Sequence, residues 1–139
     1  MATKEIFIEK LNKALEWEYA AAVQYVQHAA MITGPEYDSI AAELEVHANE
    51  ELAHAITVST LIADLGGVPS VEVENREIHE DSKIMLQQDL AGEELAIRIY
   101  KELVSMAEEL QEYGARRQLE DILMEEEEHR RDLLSSLGK

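Results

Sequence analysis

Apolar residues recur at alternating steps of three and four in four long segments of the chain. The first series reads Ile8, Leu11, Leu15, Glu18, Ala22, Tyr25, Ala29, and the second Ile40, Leu44, His47, Glu51, His54, Val58, Leu61, Leu65. The third is Leu86, Leu90, Glu93, Ile97, Tyr100, Val104, and the fourth Leu119, Ile122, Glu126, His129, Leu133, Leu137. This spacing keeps one stripe of each helix turned toward the centre of a bundle. Gly34-Pro35 separates the first two segments, with Pro35 suited to the first position of a new helix, and Gly66-Gly67-Val68-Pro69-Ser70 closes the second. Asp81 or Ser82 can cap the third helix, and Gly114 marks a break before the fourth. The pattern predicts helices over about 4–32, 35–65, 82–112 and 115–137, rods of roughly 35 to 45 Å at the α-helical rise. Only the connection between the second and third helices can travel the length of a bundle, so those two run parallel while the other sequential pairs run antiparallel. The expected fold is all-α: one domain over residues 1–139, a four-helix bundle with a single long crossover between helices 2 and 3.

Each seam is interrupted near its middle by a glutamate, and two carry a histidine three residues later. The interruptions follow an internal repeat: a shift of 75 residues takes Glu18 to Glu93, Glu51 to Glu126 and His54 to His129. Leu11 and Leu86, Leu15 and Leu90, Tyr25 and Tyr100, Leu44 and Leu119, and Val58 and Leu133 obey the same shift. The chain therefore reads as a duplicated helix pair. Of the adjacent Glu93 and Glu94, only Glu93 lies on both the seam and the repeat, which leaves Glu94 on the rim.

Composition narrows the chemistry. There is no cysteine, so disulfides, thiolate metal sites, iron-sulfur clusters and thiol nucleophiles are excluded. Thirty acidic residues against twelve Lys and Arg give a net charge of −18, which disfavours nucleic acid and favours metal cations. The longest uncharged stretch, Tyr19 to Pro35, contains Gln24, Gln27, His28, Gly34 and Pro35 and falls short of a membrane span. The opening Met-Ala-Thr-Lys-Glu-Ile lacks the features of a secretion signal, so the expected location is the cytoplasm.

Four carboxylates in a core must be protonated, paired or bound to metal, because burying an unpaired ion costs several kcal/mol. No lysine or arginine accompanies them on the seams. Two divalent cations would balance Glu18, Glu51, Glu93 and Glu126, with His54 and His129 each adding a nitrogen ligand. Glu-x-x-His on one helix places both side chains on one face, and two such helices plus a glutamate from each of the other two is the ligand set of di-iron and di-manganese carboxylate bundles. Oxygen-rich ligation with one imidazole per metal suits iron or manganese without excluding zinc. One Glu-x-x-His in an acidic run is a weak signal; two, each preceded by a seam glutamate 33 residues upstream, are a strong one.

From Glu5 to Leu137 the sequence resembles the ferritin-like superfamily, most nearly bacterioferritin. Glu18-Tyr19-Ala20-Ala21-Ala22-Val23-Gln24-Tyr25 with His28 resembles the first-helix motif. Glu51-Leu52-Ala53-His54, Asp89-Leu90-Ala91-Gly92-Glu93 and Glu126-Glu127-Glu128-His129 resemble the other three. The resemblance implies two iron ions per chain, with manganese as an alternative: Glu51 and Glu126 bridging, Glu18 and His54 holding one ion, Glu93 and His129 the other. Bacterioferritins carry a haem-ligating methionine directly after the second-helix glutamate; Leu52 stands there, so no haem is expected by that route. The family's fifth helix has no counterpart before Lys139, so a homodimer or larger homo-oligomer is expected without carrying over the 24-subunit shell. Rubrerythrins fit less well, because they add a carboxylate where this chain has Ala96 and usually carry a Cys-rich module.

The expected activity is therefore a ferroxidase that binds Fe(II) and oxidises it with dioxygen or hydrogen peroxide for storage or detoxification. One alternative is a rubrerythrin-like di-iron or di-manganese peroxidase or oxidase that stores nothing. Another is a non-enzymatic bundle serving as an interaction module, whose polar layer sets helix register. His47 on the second seam is expected to be a hydrogen-bonded core residue, with support of the ligands as its functional reading. Tyr25 and Tyr100 are expected to pack in the core with satisfied hydroxyls, their functional reading being hydrogen bonds to the carboxylates or electron donation. Trp17 and His28, beside the seam, are assigned to packing or to a dimer face.

Overall fold

A computed structural model describes all 139 residues. Four helices form: α1 (Lys4–Met31), α2 (Asp38–Asp64), α3 (Ser82–Glu109) and α4 (Tyr113–Ser136), with a 3₁₀ turn at Pro35–Tyr37. Thr3 caps α1 by accepting from the amide of Ile6, and Asp81 caps α3 by accepting from that of Ile84, each relieving one of the helix's orphan donors. Of the two candidates for the third cap, Asp81 takes the role and Ser82 becomes the first helical residue.

Two boundaries differ from expectation. Pro35 opens the 3₁₀ turn, closed by the Tyr37 amide on the Gly34 carbonyl at 3.0 Å, and α2 begins only at Asp38. Gly114 lies inside the first turn of α4; the chain reverses instead at Gln111, whose φ of 59° is left-handed. There the Glu112 amide returns to the Ala107 carbonyl at 2.8 Å, the same closure that Gly67 makes to Ile62 after α2. Gly66 adopts the left-handed turn at the end of α2 freely, whereas Gln111 does so at a cost of about 1 kcal/mol.

The crossover lies along α1. In chain order, the Val68 carbonyl accepts from Asn12, Ser70 bonds Asn12 and Glu16, Glu74 reaches Glu16 and Lys13, and Glu77 bonds Gln24 and His28. It thus travels from the N-terminal to the C-terminal end of α1 before α3 starts. That path makes α2 and α3 parallel and gives the expected bundle topology.

The apolar core is in two parts. Phe7, Leu11, Leu15, Val58, Ile62, Leu103 and Leu119 belong to the larger one, while Ile40, Leu44, Leu86, Leu90 and Leu133 belong to the smaller. Between them lies a polar layer contributed by all four helices. No helix is long and apolar enough to cross a membrane.

Candidate metal centre

Helical periodicity delivers six polar side chains to the middle layer. Glu18 comes from α1, Glu51 and His54 from one face of α2, Glu93 from α3, and Glu126 and His129 from one face of α4. All six are buried, none more than 4% exposed. Their ligand atoms fall into two groups, Glu18, Glu51, His54, Glu126 and Glu51, Glu93, Glu126, His129, within which every atom lies no more than 4.8 Å from the others. Glu51 and Glu126 belong to both. Glu94, by contrast, is exposed.

The two halves are wired alike. Nδ1 of His54 faces inward, 3.1 Å from Glu18, 3.6 Å from Glu51 and 3.5 Å from Glu126. Nδ1 of His129 lies 3.2 Å from Glu93, 3.1 Å from Glu51 and 3.2 Å from Glu126. Each outer ring nitrogen meets a carboxylate from the opposite Glu-x-x-His helix: Nε2 of His54 is 2.9 Å from Glu125, and Nε2 of His129 is 3.3 Å from Glu50. Glu50 and Glu125 are themselves 75 residues apart. The repeat carries this signal, but their place next to the seam glutamates makes them look like rim charges in the sequence.

The electrostatics show how costly the layer is without a cation. Burial, reinforced by the neighbouring carboxylates, pushes Glu51, Glu93 and Glu126 up to about 8 and Glu18 well above the ordinary range. Burial opposes a charge on His129, but the carboxylates of Glu126, Glu51 and Glu93 around Nδ1 outweigh it and raise its pKa. A single Nδ1 proton cannot point along several lines at once. Oε1 of Glu51, Oε1 of Glu93 and both oxygens of Glu126 accordingly have no hydrogen-bond donor. Buried acceptors normally have one. Four orphaned carboxylate oxygens gathered around two imidazole nitrogens fit divalent cations, which would hold the carboxylates deprotonated and the imidazoles neutral.

The flanking residues break the symmetry. The Tyr25 hydroxyl donates a hydrogen bond to Oε2 of Glu93. Its repeat mate Tyr100 turns its hydroxyl toward Glu18 but makes no well-formed hydrogen bond. Both rings are buried, and burial raises the pKa of each. His47 is fully buried, stacked on His129 at 4.0 Å between ring centroids and edge-on to Tyr25 at 5.1 Å. Its Nε2 lies 3.2 Å from Asp132, so it is the hydrogen-bonded core residue expected. Burial, then the charge on His129, lower its pKa to about 4.

His28 is fully buried, which removes it from any dimer face. Its Nδ1 lies 2.8 and 2.9 Å from the two oxygens of Asp89, and its Nε2 donates to the Glu77 carbonyl at 3.0 Å. Gln24 completes the network by donating to Asp89 and accepting from the Glu77 amide. The group ties the crossover to α1 and α3. Trp17 is half-buried and lines a cleft of about 600 Å³ between α1 and α3, with Ala20, Ala21, Gly92 and Ala96 among its walls. The cleft reaches Glu18, Glu51 and Glu93.

A bundle with one crossover and a buried layer built from two Glu-x-x-His helices and two further glutamates defines a protein of the carboxylate-bundle class. The Ferritin-like domain family matches residues 8–139, and the chain belongs to it. Bacterioferritin of Brucella melitensis biotype 1 is 30% identical over 139 residues, covering 95% of this chain and 86% of that one. A nutrient stress-induced DNA-binding protein of Nostoc is 29% identical over 142 residues, covering 94% of this chain and 77% of that one. A crystal structure described as ferritin-like, diiron-carboxylate proteins from Bacillus anthracis strain Ames superposes with a TM-score of 0.92 at 28% identity, covering 99% of each chain.

Proposed function

We propose that residues 1–139 act as one di-iron domain that binds Fe(II) and oxidises it with dioxygen or hydrogen peroxide, for iron storage or detoxification. The observation that carries this reading is the overlap of the two ligand groups at Glu51 and Glu126. In this assignment those two carboxylates would be shared by both ions, Glu18 and His54 would hold one ion, and Glu93 and His129 would hold the other. The same oxygen-rich set accepts manganese. Two Fe(II) ions supply the two electrons that reduce hydrogen peroxide to water, or dioxygen to hydrogen peroxide. The bacterioferritin relatives and the diiron-carboxylate neighbour support the reading.

The chain's own residues prepare that chemistry. The carboxylates release protons as cations enter, Glu125 and Glu50 hold the two rings with Nδ1 inward, and the Tyr25 hydroxyl fixes the Glu93 carboxylate. The apolar layers above and below the centre are closed by buried side chains, and the α1–α3 cleft, which reaches Glu18, Glu51 and Glu93, offers a way in for a small oxidant. A second reading, a di-iron or di-manganese peroxidase or oxidase that stores no iron, uses the same six residues and the same cleft.

We also infer self-association. Val23 and Val26 of α1 and Leu52 and Ile56 of α2 are exposed, and helical spacing places each pair on one outward face. A second copy is the proposed cover. With a net charge of −18, no nucleic acid is proposed as a partner, although two relatives are named for DNA binding.

The test is Fe(II) oxidation with each oxidant, in the native chain and in Glu126→Ala. Loss of oxidation in the variant supports the reading, and unchanged rates overturn it. Continued iron uptake after the first turnover favours storage, whereas catalytic peroxide consumption at fixed iron favours the second reading.

A further inference from the structure

We propose that Glu43, His47 and Asp132 form a third divalent-cation site, outside the six-residue centre and against its His129 side. Glu43 and His47 lie one turn apart on α2, and Asp132 stands on α4 one turn beyond His129. Their ligand atoms all lie within 4.8 Å of one another, close enough for one ion to touch all three. His47 is fully buried, the Asp132 side chain is 38% exposed and Glu43 is exposed, so the group runs from the interior to solvent. Asp132 pairs with no lysine or arginine, only with Nε2 of His47 at 3.2 Å.

The repeat supplies an independent observation. The six residues of the centre are duplicated at an offset of 75, but these three are not: the matching positions are Gln118, Ile122 and Thr57. Ile122 packs in the larger apolar core, so the fold accepts an isoleucine at this place in the seam. His47 occupies the equivalent place at the cost of burying an imidazole. Three ligand-type residues depart from the repeat together and converge on one spot, which packing alone does not require.

One imidazole and two carboxylates suit a transition-metal dication such as Zn(II), Fe(II) or Mn(II), with water completing the coordination. The site needs no redox chemistry. Because His47 stacks on His129, a cation held there is one ring away from the proposed di-metal layer.

Zinc tests this without turnover. Crystals of the native chain soaked in Zn(II) should show, at the zinc edge, an anomalous peak about 2.0–2.1 Å from Nε2 of His47. Solution titration should lose one equivalent of Zn(II) per chain in His47→Ile, which copies the other half of the repeat, and in Asp132→Asn, which leaves the packed histidine in place. No peak at the three residues overturns the proposal. So does a peak in crystals with an unchanged solution stoichiometry in both variants, which would mark binding at crystal concentration only. A peak here with none at the six-residue centre would sink the di-metal reading and leave this site standing.

Discussion

Nε2 of His54, on α2, lies 2.9 Å from a carboxylate oxygen of Glu125, the α4 residue directly preceding Glu126. The repeat makes the same link in reverse between His129 and Glu50. Each Glu-x-x-His helix therefore turns its own glutamate and histidine inward, as the proposed ligands, and orients the other helix's histidine from outside. A carboxylate on the far nitrogen fixes the tautomer that leaves Nδ1 free for a cation.

Glu125→Ala should accordingly weaken cation binding on the order of 10–100-fold, with little change in thermal stability because the side chain is 44% exposed. Cobalt(II) titration and a thermal melt on the same samples check both halves of the expectation. Unchanged affinity would mean that packing alone holds the ring.

The adjacent pair on α3 separates the layer from the surface. Glu93→Ala should abolish oxidation of bound Fe(II), while Glu94→Ala should leave it nearly intact, since Glu93 is 2% exposed and Glu94 faces solvent. Stopped-flow absorbance of Fe(III) formation reads the difference. The reverse order of effects would refute the assignment by repeat.

The polar layer is legible in the sequence for a physical reason. A polar residue on an apolar seam stands out because the helical period places it in the core, and the duplication turned each such residue into a pair. That was enough to single out Glu93 beside Glu94, and the same offset marks Glu50 and Glu125, although one step off the seam they resemble surface charges. His28 was hidden for a different reason. Its partner Asp89 is 61 residues away and neither obeys the repeat, so only the packing of α1 against α3 reveals the pair. The core also drifts at its edges: Phe7 is buried while Ile8 of the predicted seam is half-buried, and Leu103 is buried while Val104 of the seam is half-buried. A strict alternation of three and four approximates a 3.6-residue turn and slips over a long helix. The break before α4 falls at Gln111 rather than at Gly114 because Gln111 performs a turn that glycine performs more cheaply.

The buried pair carries its own expectation. His28→Ala leaves Asp89 buried without its main partner and frees Glu77 of the crossover, so it should cost about 3–5 kcal/mol. Urea unfolding of the metal-free chain gives the number. A loss below about 1 kcal/mol would show that the crossover is held mainly by its contacts near Asn12 and Glu16.

The protonation of the layer predicts an unusual pH dependence. Burial first, then neighbouring carboxylates, hold Glu51, Glu93 and Glu126 protonated up to about 8, against 4.5 for an ordinary glutamate. The folded metal-free chain thus binds more protons than the unfolded one, and stability present below about 4.5 is lost as pH rises toward about 8. His129, also raised, acts in the same direction; His47, lowered to about 4, acts oppositely as the pH falls below 6.5. The melting temperature of the metal-free protein should fall between about pH 5 and pH 8, and saturating Mn(II) should flatten the fall. A metal-free melting temperature that rises over this range would contradict the protonation of the layer.

An anaerobic count of Fe(II) bound per metal-free chain, followed by admission of oxygen, in the native protein and in the double variant His54→Ala/His129→Ala, reads the shared layer itself. Two more irons per chain in the native protein than in the variant, both oxidised together on exposure to oxygen, is the result that six proposed ligands sharing Glu51 and Glu126 predict, any iron at Glu43, His47 and Asp132 being common to both proteins. Failure to bind Fe(II) at micromolar concentration, or an identical count in the variant, would contradict it.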